Sequence, residues 1–531
     1  MVAGLGLSGR LPGAGSHPDC SPVVDTIPDL IRFRARWSGT SPALVDGERT
    51  LDYEQVYADA QRTAAALAGL GVGRGDRVAI MLPRGADALA CLLGSQLLGA
   101  VAVPINERLR SRQVQHVLDD SGARMLVTDQ RLRRLAAVPD DADQVVVEPA
   151  ELSGGPDGTA PPDACTAADL ALLVYTSGST GLAKGVMTSQ ANLVAGTESV
   201  ARYTRLRCED RVLSVLPWSV DYGLNQVLSA FWAGATVVVE RSAFGPDICR
   251  TVREHRITGL AGVPALWELL SRRPSTFLSE PLPDLRYVTN SGEKLGRGIL
   301  EDIRRVHPHV DVYLMYGLTE AFRSTYQEPS LVERHANSIG RAIPGTEALI
   351  LDPHGRPCAD GEVGEFVEAG LTVALGYWRR PALTAQVYRP DPRTGPEHAG
   401  RRVVYSGDLV WRSPEGLIHY VGRRDEQVKI QGMKVSPSEV ELVLADSGVV
   451  SQAVAFTHHD EAGRVQLVAV VVPGLHDGFS LDALWEHCRR ELPSYLHPHD
   501  IVVRDAMPQT SWQKVNRGLV KSEYLAARGL A

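Results

Sequence analysis

Short apolar runs alternate with amphipathic stretches from about Thr40 to Thr128. Leu51-Asp-Tyr53 leads into a predicted helix over Glu54–Leu70, and Gly75–Pro83 reads as a strand. Ala86–Gly99 predicts a second helix, Val101–Pro104 and Arg124–Thr128 further strands. This rhythm implies a parallel sheet flanked by helices. A Gly/Pro/Asp-rich patch, Ser153–Asp163, predicts a surface connection. Beyond it Leu170–Tyr175, Arg211–Leu216, Ala235–Val239, Gly259–Val263 and Leu285–Thr289 are strand-like. From Gly345 to Tyr420 short strands with Gly, Asp and Pro turns predict a smaller β-rich unit. A last segment carries strands Gln452–Thr457 and Val465–Val472 and helices Ser436–Ala445 and Leu481–Glu491. The expected class is α/β: a large N-terminal domain of mixed sheets flanked by helices plus a β-rich subdomain, with a small mobile α+β C-terminal domain. The expected bounds are a flexible tail over 1–20, the large domain over 21–423 and the small one over 424–531.

At 531 residues the chain exceeds what one core accommodates. A net charge of −8 argues against nucleic acid or anionic lipid as a main partner. No apolar run reaches the roughly 18 residues of a membrane span; Ala88–Val103 comes nearest, and Gly94, Ser95, Gln96 and Gly99 interrupt it. Met1–Ser16 is Gly-rich with one basic residue and reads as a loose tail rather than a targeting signal. Seven scattered cysteines without a CxxC read as buried or incidental thiols of a cytoplasmic protein. The histidine pairs His307/His309, His458/His459 and His497/His499 lack a third ligand and read as surface loops.

The chemistry begins after strand Leu172–Tyr175. Thr176-Ser177-Gly178-Ser179-Thr180-Gly181-Leu-Ala-Lys184 combines hydroxyls, glycines and a lysine. Glycines let backbone N–H groups converge on phosphate oxygens, hydroxyls add donors, and the lysine adds charge. The order is not that of a Walker A loop.

Thr176–Gly185 resembles the signature of the adenylate-forming superfamily: acyl-CoA synthetases, peptide-synthetase adenylation domains and luciferases. Met315-Tyr-Gly-Leu-Thr-Glu320, Tyr405-Ser-Gly-Asp408, Val421–Gly432 and Pro508–Arg517 match further family segments in order, so the resemblance runs from about residue 40 to 525. Residues 219–226, 259–267 and 316–326 look like the acyl-CoA ligase-like proteins associated with exosortase systems.

The resemblance implies a cytoplasmic, AMP-forming acid–thiol ligase, monomer or homodimer, of secondary metabolism. It would convert a carboxylic acid and ATP with Mg²⁺ into an acyl-adenylate, then pass the acyl group to CoA or a carrier protein's pantetheine. Lys184, Thr319, Glu320 and Lys514 would be catalytic, with Glu320 holding Mg²⁺. Besides Thr176–Gly181, the residues Gly292, Glu293, Tyr316, Gly317, Asp408 and Arg423 would bind the nucleotide, Asp408 and Arg423 at the ribose. Asp425 would be the hinge about which the small domain rotates, exchanging Lys514 for the Gly432 segment of the thiol tunnel. Gln513 stands where a glycine commonly precedes the lysine. The acid pocket would be lined by Trp218, Asp221, Tyr222, Asn225, Ala261, Gly262, Ser291, Met315 and Arg323, with Thr289 and Ser324.

Asp221 occupies the place where amino-acid-activating members bind the substrate's ammonium. A buried carboxylate wants a cation, and either a substrate amine or Arg323 supplies one. Both readings stay open at this point: an amino acid or other polar acid, or an internal pair beneath an alkyl or aryl pocket. Acceptors other than a thiol, as in amide formation or nitrite activation, and a non-catalytic nucleotide-binding homologue also stay open.

Overall fold

A computed structural model describes residues 22–109, 111–136, 138, 145–153, 165–176, 183–424, 428–430, 433–435, 437–460, 465–474, 479–492, 496–510 and 514–530. The expected tail and nearly all of the Ser153–Asp163 patch lie outside them.

Strands covered by helices on both faces read as unbroken apolar runs, and Val101–Pro104, Met125–Thr128 and Thr236–Val239 are buried throughout. A seven-stranded sheet runs in the order Gly376–Tyr377, Lys184–Ser189, Leu170–Thr176, Val101–Pro104, Arg77–Met81, Met125–Thr128 and Val145–Val147. The second sheet has fourteen strands. Its parallel run is Asp311–Tyr316, Tyr287–Asn290, Gly259–Gly262, Arg211–Ser214, Thr236–Val239 and Pro42–Asp46. On the side of Asp311–Tyr316 it continues antiparallel through Thr325–Gln327 and Ser338–Ala342 into Ile418–Arg423, Arg402–Arg412, Gly364–Gly370 and Thr346–Leu351. The β-rich unit expected over 345–420 is therefore an extension of this sheet.

Helix Asp221–Ala233 is buried almost along its length and stops at Gly234, whose φ of 78° suits a residue without Cβ. Its last carbonyls need donors in the core. Buried Arg34 supplies them, Nε donating to Phe231 O at 2.8 Å and Nη2 to Trp232 O. Helix Leu481–Glu491, capped by Ser480, keeps its expected bounds.

In the C-terminal unit Val450–His459, Val465–Pro473 and Asp500–Val503 form a three-stranded sheet. It rests on the large unit through Asp446, which accepts from Lys294 Nζ at 2.8 Å and Asn337 Nδ2 at 2.9 Å. Gln452 Nε2 donates to both oxygens of Glu268 at 3.0 and 3.1 Å. Burial raises the Glu268 carboxyl above its ordinary range.

The reading of the histidine pairs as surface loops needs correction. His307 is fully buried, its Nε2 2.7 Å from Phe277 O, and His458 lies inside strand Val450–His459. An imidazole with one nitrogen on a carbonyl offers apolar faces to a core; of these six histidines, His309, His459 and His499 are exposed. Among the described residues no group of three or more His, Cys, Asp or Glu is placed to hold a metal, and no helix is long and apolar enough to cross a membrane.

Candidate active site

Leu170–Thr176 and Lys184–Ser189 are antiparallel, with Thr176 opposite Lys184. Ser177, Gly178, Ser179, Thr180 and Gly181, which connect them, lie outside the described residues. Lys184 thus starts a strand, and the next strand places Tyr377 opposite Val186. Lys184 Nζ donates to Tyr377 Oη at 2.8 Å and lies 4.0 Å from the ring centroid. Tyr377 Oη donates to Glu320 Oε1 at 2.6 Å, and Lys184 Nζ is 3.4 Å from the same oxygen. Burial first, then the Glu320 charge, keeps the Tyr377 phenol protonated far above its usual range. Reasoning from sequence missed Tyr377, because Gly-Tyr-Trp after an apolar run reads as core.

Glu320 belongs to a segment that turns back on itself. After strand Asp311–Tyr316, a Cβ on Gly317 would lie 3.4 Å from the Cα of Arg323. Phe322 has φ 58°, a strained conformation for a residue with a side chain. Such strain costs about 1–3 kcal/mol and is offset by burying the ring against Gly196, where a Cβ would come within 2.2 Å of it. The turn sends Arg323 inward.

There Arg323 Nη1 donates to Asp221 Oδ2 at 3.0 Å and to Phe322 O at 3.1 Å, both side chains being less than a tenth exposed. The guanidinium carbon lies 4.7 Å from the Tyr222 ring centroid, and Thr319 Oγ1 is 3.5 Å from Asp221 Oδ1. Tyr222 Oη meets Thr289 O at 3.0 Å and its Oγ1 at 2.6 Å. Ala261 and Met315 pack with Tyr222 in one apolar cluster. Trp218 does not join them; it packs in the cluster that holds Leu224, Val227 and Phe322, its Nε1 donating to Ser214 Oγ at 2.8 Å. Asn225 is fully buried one turn after Asp221, accepting from Ser229 Oγ at 3.1 Å. On strand Gly364–Gly370 Glu368 is buried, its Oε1 accepting from Thr372 Oγ1 at 2.9 Å, and burial lifts its carboxyl to about 8.

Gly262, Asn290 and Tyr316 end three adjacent parallel strands, the position where open parallel sheets take ligands. Buried Ser291, Gly292 with φ 94° and exposed Glu293 follow Asn290, whose Nδ2 donates to Glu293 O at 2.9 Å. Tyr316 Oη donates to Asp408 Oδ2, and Arg423, opposite Asp408 on the next strand, donates Nη1 to Oδ1 at 3.0 Å. A side chain on Gly407, φ 75°, would come within 3.0 Å of that guanidinium. Burial and the Asp408 charge hold Tyr316 protonated.

The segment Tyr316–Arg323 therefore touches three clusters: Asp408–Arg423, Lys184–Tyr377 and Asp221. Lys514 is not brought to them. It sits exposed in a turn, its backbone N–H donating to Thr510 Oγ1 at 3.3 Å. Asp425 and Gly432 lie outside the described residues.

The AMP-binding enzyme family matches residues 32–378, and the AMP-binding enzyme C-terminal domain matches residues 439–514. The chain is 34% identical to novobiocin biosynthesis protein H of Streptomyces niveus, over 95% of this chain and 84% of that protein. Surfactin synthase subunit 1 of Bacillus subtilis is 29% identical over 95% of this chain, which spans only 14% of that protein. The fold is shared, at a TM-score of 0.80 and 24% identity, with o-succinylbenzoate CoA synthetase of Bacillus subtilis in complex with its acyl-adenylate intermediate, covering 93% of this chain and 97% of that one. With the full set of family segments in order and both parts matched, the chain belongs to the AMP-binding enzyme family, the adenylate-forming ligases.

Proposed function

We propose that the protein activates a carboxylic acid with ATP and Mg²⁺ to an acyl-adenylate and passes the acyl group to the thiol of CoA or of a carrier protein's pantetheine. The observation that carries this reading is the convergence of the three clusters on Tyr316–Arg323. A carboxylate oxygen of the acid attacks the α-phosphorus and the bond to pyrophosphate breaks. Lys184 and the Thr176–Gly181 loop grip the departing phosphates, and the Asp408 oxygens, each oriented by one donor, accept the ribose hydroxyls. One carboxylate together with phosphate oxygens suits the coordination habits of magnesium, so Glu320 fits as its protein ligand. The ion would neutralise charge building on the phosphates. In the second half a thiolate attacks the acyl carbon and AMP leaves.

The boundary near residue 424 is the axis about which the small domain turns. Asp446 and Gln452 hold it in an orientation with Lys514 outside, and rotation about Asp425 brings the lysine to the acid and α-phosphate. Partners are the acid, ATP and a thiol acceptor in the cytoplasm. Against the amino-acid reading stands the Asp221–Arg323 pair, which already satisfies the carboxylate that would take an ammonium.

The test is pyrophosphate release over a panel of fatty, aryl, oxygenated and amino acids, followed by acceptor assays with CoA and a pantetheinylated carrier. Acid-dependent pyrophosphate followed by a thioester is the expected result. Absence of acid-dependent release across the panel sinks the reading, while release without any thioester moves it to a non-thiol acceptor.

A further inference from the structure

The Arg323 guanidinium is used on one side only. Its Nη1 serves Asp221 and Phe322 O. Its Nε and Nη2 are buried and have no hydrogen-bond partner among the described residues. A buried cationic donor without an acceptor is costly, because its lost hydration is not replaced. The Tyr222 and Phe322 ring centroids lie 4.7 and 5.9 Å from the guanidinium carbon, contacts that give Nε and Nη2 no hydrogen bond. One turn beyond Asp221 the buried Nδ2 of Asn225 is likewise unpartnered. The Arg323 edge thus offers two unused donors.

Its charge is already balanced. Asp221 and Arg323 neutralise each other, so a second carboxylate on the substrate would be a net buried anion, and an ammonium would be a net buried cation beside the guanidinium. A neutral oxygen satisfies both Nε and Nη2 without upsetting the pair. Its place follows from Thr319, whose hydroxyl is 3.5 Å from Asp221 while the neighbouring Glu320 meets Lys184. The pair therefore lies next to the cluster that takes the phosphates in the proposed reaction, which favours an oxygen on the carbon next to the reacting carboxylate.

Building on the adenylation reading, we infer that Arg323 selects 2-hydroxy or 2-oxo acids, binding the 2-oxygen through Nε and Nη2, and that it disfavours 2-amino acids. The experiment compares pyrophosphate release on two skeletons that differ only at carbon 2. The first is 3-phenylpropanoate, phenyllactate, phenylpyruvate, phenylalanine and benzylmalonate; the second is propanoate, lactate, pyruvate, alanine and methylmalonate. The oxygen-bearing acid is expected to lead its unsubstituted parent by about tenfold or more in kcat/KM on the better skeleton. Arg323→Leu should erase that lead, and through the released Asp221 raise the amino acid relative to the oxygenated one. The double variant Asp221→Leu/Arg323→Leu, which leaves no buried charge, should show no preference at carbon 2. The ranking of the unaltered protein needs no variant to fold. If the parent, amino or dicarboxylic acid leads on both skeletons, the inference is overturned while adenylation stands. If no acid of either series or of the broader panel releases pyrophosphate, the adenylation reading falls and the inference with it.

Discussion

Tyr377 ties Lys184 to Glu320, and Tyr377→Phe removes one oxygen while keeping the ring. The lost hydroxyl donates to a carboxylate at 2.6 Å and accepts from an ammonium at 2.8 Å. Hydrogen bonds to charged groups contribute about 1.5–3 kcal/mol. Glu320 and Lys184 keep 18% and 23% side-chain exposure, so water replaces part of the loss. The lower half of that range, about 1.5–2 kcal/mol, is the fitting magnitude, or roughly ten- to thirtyfold in rate or affinity. The assay is pyrophosphate release at saturating acid, titrated with Mg-ATP and then with free Mg²⁺. We expect kcat/KM for Mg-ATP to fall by that factor and the Mg²⁺ requirement to rise, because Glu320 loses the donor that orients it. The KM of the acid should stay within about twofold, since the acid pocket lies on the Arg323 side of the turn. A variant with unchanged Mg-ATP parameters, or with its whole loss in the acid's KM, refutes the positioning role of Tyr377.

Three further outcomes follow from the same geometry. Lys514→Ala should abolish pyrophosphate release yet leave thioester formation from supplied acyl-AMP largely intact; equal loss in both halves contradicts the domain rotation. Gly196→Ala puts a methyl where the Phe322 ring lies, 2.2 Å away. Overpacking of this kind costs about 1–3 kcal/mol, read as a lowered denaturation midpoint together with weaker discrimination among acids. Glu368 has a folded-state carboxyl raised to about 8 by burial, so the folded chain holds a proton that the unfolded chain gives up near pH 4.5. Its contribution is fully present below that pH and is lost as pH rises toward about 8. Glu368→Gln should flatten this part of the pH–stability curve in thermal melts; an unchanged slope would show that another group carries it.

Periodicity revealed the parallel strands because burial on both faces leaves a continuous apolar run, as at Met125–Thr128. It did not reveal strand Lys184–Ser189, whose Lys, Gly, Thr and Ser mask it; pairing with Leu170–Thr176 makes it a strand. The candidate site residues were legible where a motif carried them, as with Glu320 and Asp408. Tyr377 was not, since its meaning comes from sheet pairing with a strand about 190 residues earlier. Trp218 follows from the resemblance of its segment, but its ring falls in the cluster of Leu224, Val227 and Phe322 rather than with Tyr222, Ala261 and Met315. The Asp221–Arg323 pair, one of the two readings the sequence leaves open, is the one found; the backward turn at Phe322 beside it is not legible, because φ 58° is unfavourable for phenylalanine. His307 was misjudged for a related reason: the carbonyl that lets it bury belongs to Phe277, thirty residues away.

Tyr316–Arg323 is eight consecutive residues with one end on Asp408, the carboxylate proposed to take the ribose, and the other on Asp221, in the proposed acid pocket. On the proposed roles we expect acid and nucleotide to raise each other's affinity by an equal factor, whichever arrives first, read as the Kd of ATP with and without the acid. A poorly fitting acid should then weaken ATP as well as itself, which makes discrimination among acids readable in the Kd of a nucleotide that does not touch the distinguishing group; an ATP Kd indifferent to the acid overturns the expectation.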